Sequence, residues 1–127
     1  MKATIASLIF LLLSLAVSSQ TYKYIGIEEG LSNQKIYRIQ KDARGYMWFL
    51  THVGIDRYNG KEIKHYKLKE GDRELDPLLN INWTFLDKTG TLLVTGKQGR
   101  IFRYDSGHDR FVQIYSMYSY WNKDYHA

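Results

Sequence analysis

Four histidines, His52, His65, His108 and His126, are the first residues to weigh for chemistry. No two are spaced His-x-His or His-x-x-x-His, so spacing gives metal ligation no support and no metal is expected. His52 stands beside an apolar run and is the best single candidate for a site residue, although a lone loop histidine is more often simply solvated. Asp42 and Asp87 invite reading as a carboxylate pair for glycoside cleavage. Each, however, stands three residues before a glycine, Gly45 and Gly90. Aspartate there bonds the backbone of its own turn and glycine takes the positive φ, so a structural role outweighs a catalytic one. The regular carboxylate series of a calcium loop is absent. Trp48, Trp83 and Trp121 could stack on sugar rings. Trp48 lies inside the run Tyr46-Met47-Trp48-Phe49-Leu50 and is assigned to the core, while Trp83 reads either way. Trp121, with Tyr118, Tyr120 and Tyr125, falls in an aromatic tail that reads as the start of a further repeat. No catalytic residue is assigned, no cofactor is implied, and the ligand contacts are left open.

The elements that must position these residues are short strands. Tyr22 to Ile27 reads as a strand and Glu29-Gly30-Leu31-Ser32-Asn33 as a turn. Strands follow at 36–41, 46–51 and 55–58. Asn59-Gly60 is a hairpin dipeptide and Glu62 to Tyr66 alternates as an exposed outer strand does. The run 46–50 has no polar face, which a strand covered on both sides requires. The charged stretch from Lys67 to Pro77 reads as a loop. The pattern then restarts, with strands at 81–86, 92–95, 101–104 and 111–115. Ile36 and Ile81, Asp42 and Asp87, Gly45 and Gly90, and Gly54 and Gly99 are each 45 residues apart. Arg57-Tyr58 and Arg103-Tyr104 are 46 apart, and the recurrence of both arginines points to structural roles within or between repeats. Four short strands at a period of about 45 residues make the blade of a β-propeller. The expected fold is all-β, with about two four-stranded blades of an incomplete propeller. The expected divisions are 1–19 as a signal peptide, 20–34 as an N-terminal strand and turn, 35–78 and 79–116 as two blades, and 117–127 as the start of a third or a truncated tail.

Composition narrows the class. The chain of 127 residues is 44% hydrophobic and 15% aromatic, ordinary for one small globular domain apart from its eleven tyrosines. There is no cysteine, which excludes disulfides, thiolate metal sites and cysteine nucleophiles. The net charge of +5 is dispersed. Its densest basic run, Lys61, Lys64, Lys67 and Lys69, is interleaved with Glu62, Glu70, Asp72 and Glu74. That suits a solvated edge strand better than a nucleic-acid surface, and no nucleic acid is expected. Lys2, the apolar stretch Ile5 to Val17 and the small residues Val17-Ser18-Ser19 form a signal peptide pattern. The apolar stretch is short for a membrane span of about 20 residues, so cleavage and export to the periplasm are expected.

The motif Asp42…Gly45-Tyr46-Met47-Trp48-Phe49…Thr51…Gly54-Ile55…Arg57-Tyr58 resembles the two-component regulator propeller repeat. The lead-in Glu29 to Asn33 is similar to the start of such sensor regions. The second copy is degenerate: Asp87, Gly90, Gly99, Arg103 and Tyr104 are kept, but Leu93 stands where the first has Trp48. The resemblance implies a periplasmic sensor propeller ahead of a histidine kinase, with an oligosaccharide as ligand and phosphotransfer as output. No kinase motif occurs in these residues, so the chain itself is read as non-enzymatic. A propeller has about 4 to 8 blades. Leaving about four large side chains uncovered at an open blade face would cost roughly 6–12 kcal/mol, as much as the ~5–15 kcal/mol stability of a whole domain. The expectation is therefore a piece of a longer, membrane-tethered sensor, or a chain that needs further blades or copies to close. The alternatives are a secreted stand-alone binding module that assembles propellers, and a propeller lyase or hydrolase acting through His52.

Overall fold

Local turn chemistry and bulky apolar runs divide the chain into two antiparallel meanders. The computed structural model describes residues 1–5, 20–77 and 81–117. The first sheet runs β1 (Ile36–Lys41), β2 (Met47–Thr51), β3 (Gly54–Tyr58) and β4 (Ile63–Tyr66), neighbour to neighbour in chain order. A two-stranded hairpin follows, β5 (Lys69–Glu70) and β6 (Arg73–Glu74). The second sheet runs β7 (Trp83–Leu86), β8 (Leu92–Thr95), β9 (Arg100–Asp105) and β10 (Arg110–Ser116), with a 3-10 turn at Lys97–Gly99 before β9. These are two four-stranded blades of an all-β, incomplete propeller.

Residues opposite one another in an antiparallel pair share a face of the sheet. The register puts Arg38, Leu50, Ile55 and Tyr66 on one face of the first blade, together with Gln40, Trp48, Arg57 and Lys64. That face packs on the face of the second blade that carries Leu92, Val94, Phe102, Tyr104 and Phe111. Trp48, Leu50, Ile55, Leu92, Val94 and Phe102 are all buried in this seam. The opposite face of the first blade carries Phe49, Asp56 and His65, and Phe49 is buried too. The run 46–50 is thus covered on both sides, although β2 begins at Met47.

Three expectations are corrected. Tyr22 to Ile27 forms no strand: Tyr22 and Tyr24 are exposed, and the segment ends in a turn closed by Gly30 N–H on Ile27 and Leu31 N–H on Gly26. Its composition favours β structure, but a strand needs a neighbour to complete its ladder, and the segment gains more by burying Leu31 and hydrogen-bonding Asp56 through Ser32. The stretch from Lys67 to Pro77 is not a plain loop. Leu68 and Leu75 flank the β5–β6 hairpin, are buried against the seam and are joined by a 2.9 Å backbone hydrogen bond. The connection after Asn59 is a four-residue loop in which the Asn59 carboxamide oxygen accepts from Lys61 and Glu62. The signal segment lies almost wholly outside the described residues, and the tail from Tyr118 to Ala127, with Trp121 and His126, lies fully outside them. Among the described residues no helix is long and apolar enough to cross a membrane.

Candidate ligand site

The two Asp turns hold the blades in register. Asp42 Oδ1 accepts from the backbone of Arg44 at 2.9 Å and Tyr46 at 3.0 Å, and its Oδ2 accepts the Trp48 indole N–H at 2.8 Å. Asp87 Oδ1 accepts from the backbone of Thr89 and Thr91 in the same way. Leu93 has no N–H to offer, and Arg103 Nε occupies Asp87 Oδ2 instead, at 2.9 Å. Bonds from Thr89 first, then from Thr91 and Arg103, hold the Asp87 carboxyl well below the usual range. Both carboxylates are saturated by their own turns, so neither faces a second carboxylate across a substrate. The turns also meet each other. Ala43 N–H donates to Gly90 O at 3.1 Å, and Gly90 has a φ of +74° with the Ala43 β-carbon against it, so no side chain fits there.

Arg57, free of any such duty to Asp42, crosses the seam. It donates to the Tyr104 hydroxyl and to Asp109 Oδ1, and its guanidinium lies 4.6 Å from the Tyr46 ring centroid. Lys64 and the hydroxyls of Tyr66 and Tyr104 also donate to Asp109. Burial alone would raise the Asp109 carboxyl, but these donors and the Arg57 charge hold it well below its ordinary value. Burial and the bond to Asp109 push Tyr104 up to about 12, and Tyr66 moves upward for the same reasons. Thr51 accepts from Val53 N–H and donates to Gly54 O, shaping the β2–β3 turn. Tyr58 donates to Gly60 O. Gly99 closes the 3-10 turn with a φ of +66°. Arg57 thus bonds between blades and Arg103 within one. These arrangements build the scaffold.

A cleft of about 280 Å³ opens where the inner strands of the two blades meet. That is near the lower end of the ~300–1,000 Å³ typical of small-molecule sites. β1 supplies Tyr37 and Arg38, and the end of β2 supplies Leu50 and Thr51. The connection into β7 supplies Pro77, Ile81, Asn82 and Trp83, and the turn before β9 supplies Lys97. The Arg38 guanidinium carbon is 3.3 Å from the Trp83 ring centroid, a close cation–π stack. Trp83 and Tyr37 nevertheless each keep 54% of their surface exposed. The Tyr37 hydroxyl is 2.6 Å from His52 Nδ1, so His52 props a wall of the cleft and is not simply solvated. Among the described residues, no three of His, Asp and Glu converge so as to hold a metal ion.

Residues 30–52 match the family model described as two component regulator propeller. This stretch of the chain is similar to a propeller repeat of that family. The matched stretch runs from the latched lead-in through the Asp42 turn to the end of β2, and so takes in Tyr37 and Arg38 on the cleft wall. No curated protein matches the chain.

Of the residues singled out by sequence, the structure brings Trp83 to the cleft and sets His52 against Tyr37 of its wall. Trp48 is in the seam. His65 bonds the buried Asp56 at 2.7 Å, and His108 bonds Asp105 at 2.7 Å. Sequence reasoning passed over Arg38, Tyr37, Asn82 and Lys97, and also Asp56 and Asp109. A signal existed for two pairs. Arg38 and Trp83 are repeat equivalents, 45 residues apart, and Asp56 is the polar equivalent of the apolar Phe102. Asp109 follows a turn of ordinary composition and carried no signal.

Proposed function

We propose that the chain forms the first blades of the ligand-sensing propeller of an exported two-component sensor, and that its ligand is an oligosaccharide. The observation that carries this reading is the cleft between the inner strands, beside a matched propeller repeat, with two exposed aromatic rings and convergent polar groups. Aromatic faces pack on the apolar faces of sugar rings, and the amide, hydroxyl and cationic groups around them suit sugar oxygens. In this reading residues 1–19 direct export, the chain itself performs no catalysis, and signal leaves through later parts of a longer sensor.

Further blades are the natural partners. The outward face of the second blade carries Trp83, Phe85, Leu93, Ile101, Arg103 and Val112, the repeat equivalents of Arg38, Gln40, Trp48, Ile55, Arg57 and Lys64. The first blade uses that set to dock the second. On the second blade Phe85 and Val112 remain exposed, while Trp83 is turned back onto Arg38.

The test is a calorimetric titration of the exported protein with a panel of oligosaccharides, repeated with Trp83→Ala. Saturable binding by a saccharide, lost in Trp83→Ala while far-UV circular dichroism is unchanged, supports the reading. A panel without any binder refutes it.

A further inference from the structure

We propose that this cleft selects an anionic saccharide, one bearing carboxylate or sulfate, over a neutral one; the inference rests on the saccharide reading above. Among the described residues the lining contains two cations, Arg38 and Lys97, and no carboxylate. Elsewhere in the two blades several cations are matched by acids. Arg57 and Lys64 are paired with Asp109, Lys67 with Glu74, Arg73 and Arg100 with Glu70, and Arg103 with Asp87. Among the described residues neither Arg38 nor Lys97 has an acid within ion-pairing distance.

Arg38 is held in a defined pose as well as left unpaired. Its guanidinium lies flat on Trp83, which satisfies its face and leaves the N–H groups of its edge to donate. Those donors form a fork that suits two oxygens of one anion, whether carboxylate or sulfate. Asn82 adds a carboxamide to the same lining. Neutral sugars present hydroxyls, which are commonly held by side-chain carboxylates acting as acceptors, and this wall has none. A donor-rich, acid-free wall with a stacked arginine instead matches a ligand rich in acceptors and negatively charged. The site needs both blades, since Arg38 comes from one inner strand and Trp83 from the next. The anion site exists only when the blades are docked.

The experiment titrates the exported protein with three oligosaccharides of equal length: neutral, uronate-containing without sulfate, and neutral with sulfate esters. Acetate and sulfate ions serve as controls. Arg38→Gln and Lys97→Gln are measured in parallel, the latter at an exposed position where folding is not at stake. The expected result is at least about tenfold tighter binding of one or both anionic saccharides, and about a tenfold loss for each cation removed. Comparing the uronate and sulfate arms shows which anion is preferred. Equal binding of all three sugars, unchanged in both variants, overturns the inference and leaves the saccharide reading standing. Binding of acetate or sulfate as tight as that of the sugars overturns it as an adventitious ion site. If no saccharide binds at all, the saccharide reading falls and the inference falls with it.

Discussion

Replacing Trp48 with Phe isolates the bond that ties the first blade's turn to its core. Trp48 is fully buried, with its ring centroid 4.7 Å from Tyr104, 5.5 Å from Tyr66 and 5.6 Å from Phe111. Phenylalanine keeps one ring among these neighbours. It removes the rest of the indole, worth about 1–2 kcal/mol at the usual value per buried carbon. It also removes the N–H that Asp42 accepts at 2.8 Å. Asp42 is itself buried, and a hydrogen bond to a charged partner contributes about 1.5–3 kcal/mol. The expected loss is therefore about 3–4 kcal/mol.

A double-mutant cycle separates the two contributions. Asp42→Ala removes the indole bond together with the bonds from Arg44 and Tyr46. In Asp42→Ala/Trp48→Phe the indole bond is lost only once, so the two single losses overshoot the double by about 1.5–3 kcal/mol. Urea unfolding followed by far-UV circular dichroism measures all four proteins without using Trp48 as the probe. A coupling below about 0.5 kcal/mol, the usual limit of additivity, would refute the claim that Asp42 and Trp48 act together.

Gly90→Ala should lower stability by about 1–3 kcal/mol, because its φ is left-handed and its new β-carbon meets Ala43; the thermal midpoint measures this. Acid should loosen the seam. Asp109 has a depressed carboxyl when folded, so its contribution is full above the unfolded value near ~3.9 and is lost as pH falls through its lower folded value. Asp109→Asn should flatten stability against pH in that acid range, read by urea midpoints from pH 7 to pH 2. Ser32→Ala should free the N-terminal segment, since it deletes the hydroxyl bond to buried Asp56 and the one to Thr51; faster amide exchange at Gly30 and Leu31, with β2 unchanged, is the expected signature.

The blades were legible because their cues are local. Each Asp turn is written within four residues, and the run from Met47 to Leu50 declares a doubly covered strand by lacking a polar face. The misread parts depend on distant partners. Tyr22 to Ile27 has strand composition, yet what decides its shape is Asp56, far along the chain, to which Ser32 latches it. The β5–β6 hairpin is written almost wholly in charge, and Leu68 and Leu75 at its base, with Glu70 on the distant Arg100, explain why it folds down. The cleft was illegible for the same reason. Arg38 reads as an ordinary polar position of an inner strand until the second blade brings Trp83 against it.

The same comparison shows that the seam is not simply repeated at the next face. Where the first blade presents Trp48 and Leu50, the second presents Leu93 and Thr95, while Tyr115 stands where the first has Tyr66. Two large apolar groups become smaller or more polar. Arg57 crosses to Tyr104 and Asp109 because Trp48 already satisfies Asp42, whereas Arg103 is turned inward because Leu93 cannot satisfy Asp87. One substitution, Trp to Leu, therefore accounts for two differences: a smaller apolar knob and an arginine withdrawn from the interface. A blade docking on this face must bring its own bulk to fill the space over Leu93 and Thr95. It must also find its polar anchor somewhere other than Arg103, so the second interface follows different contacts even where the backbone repeats.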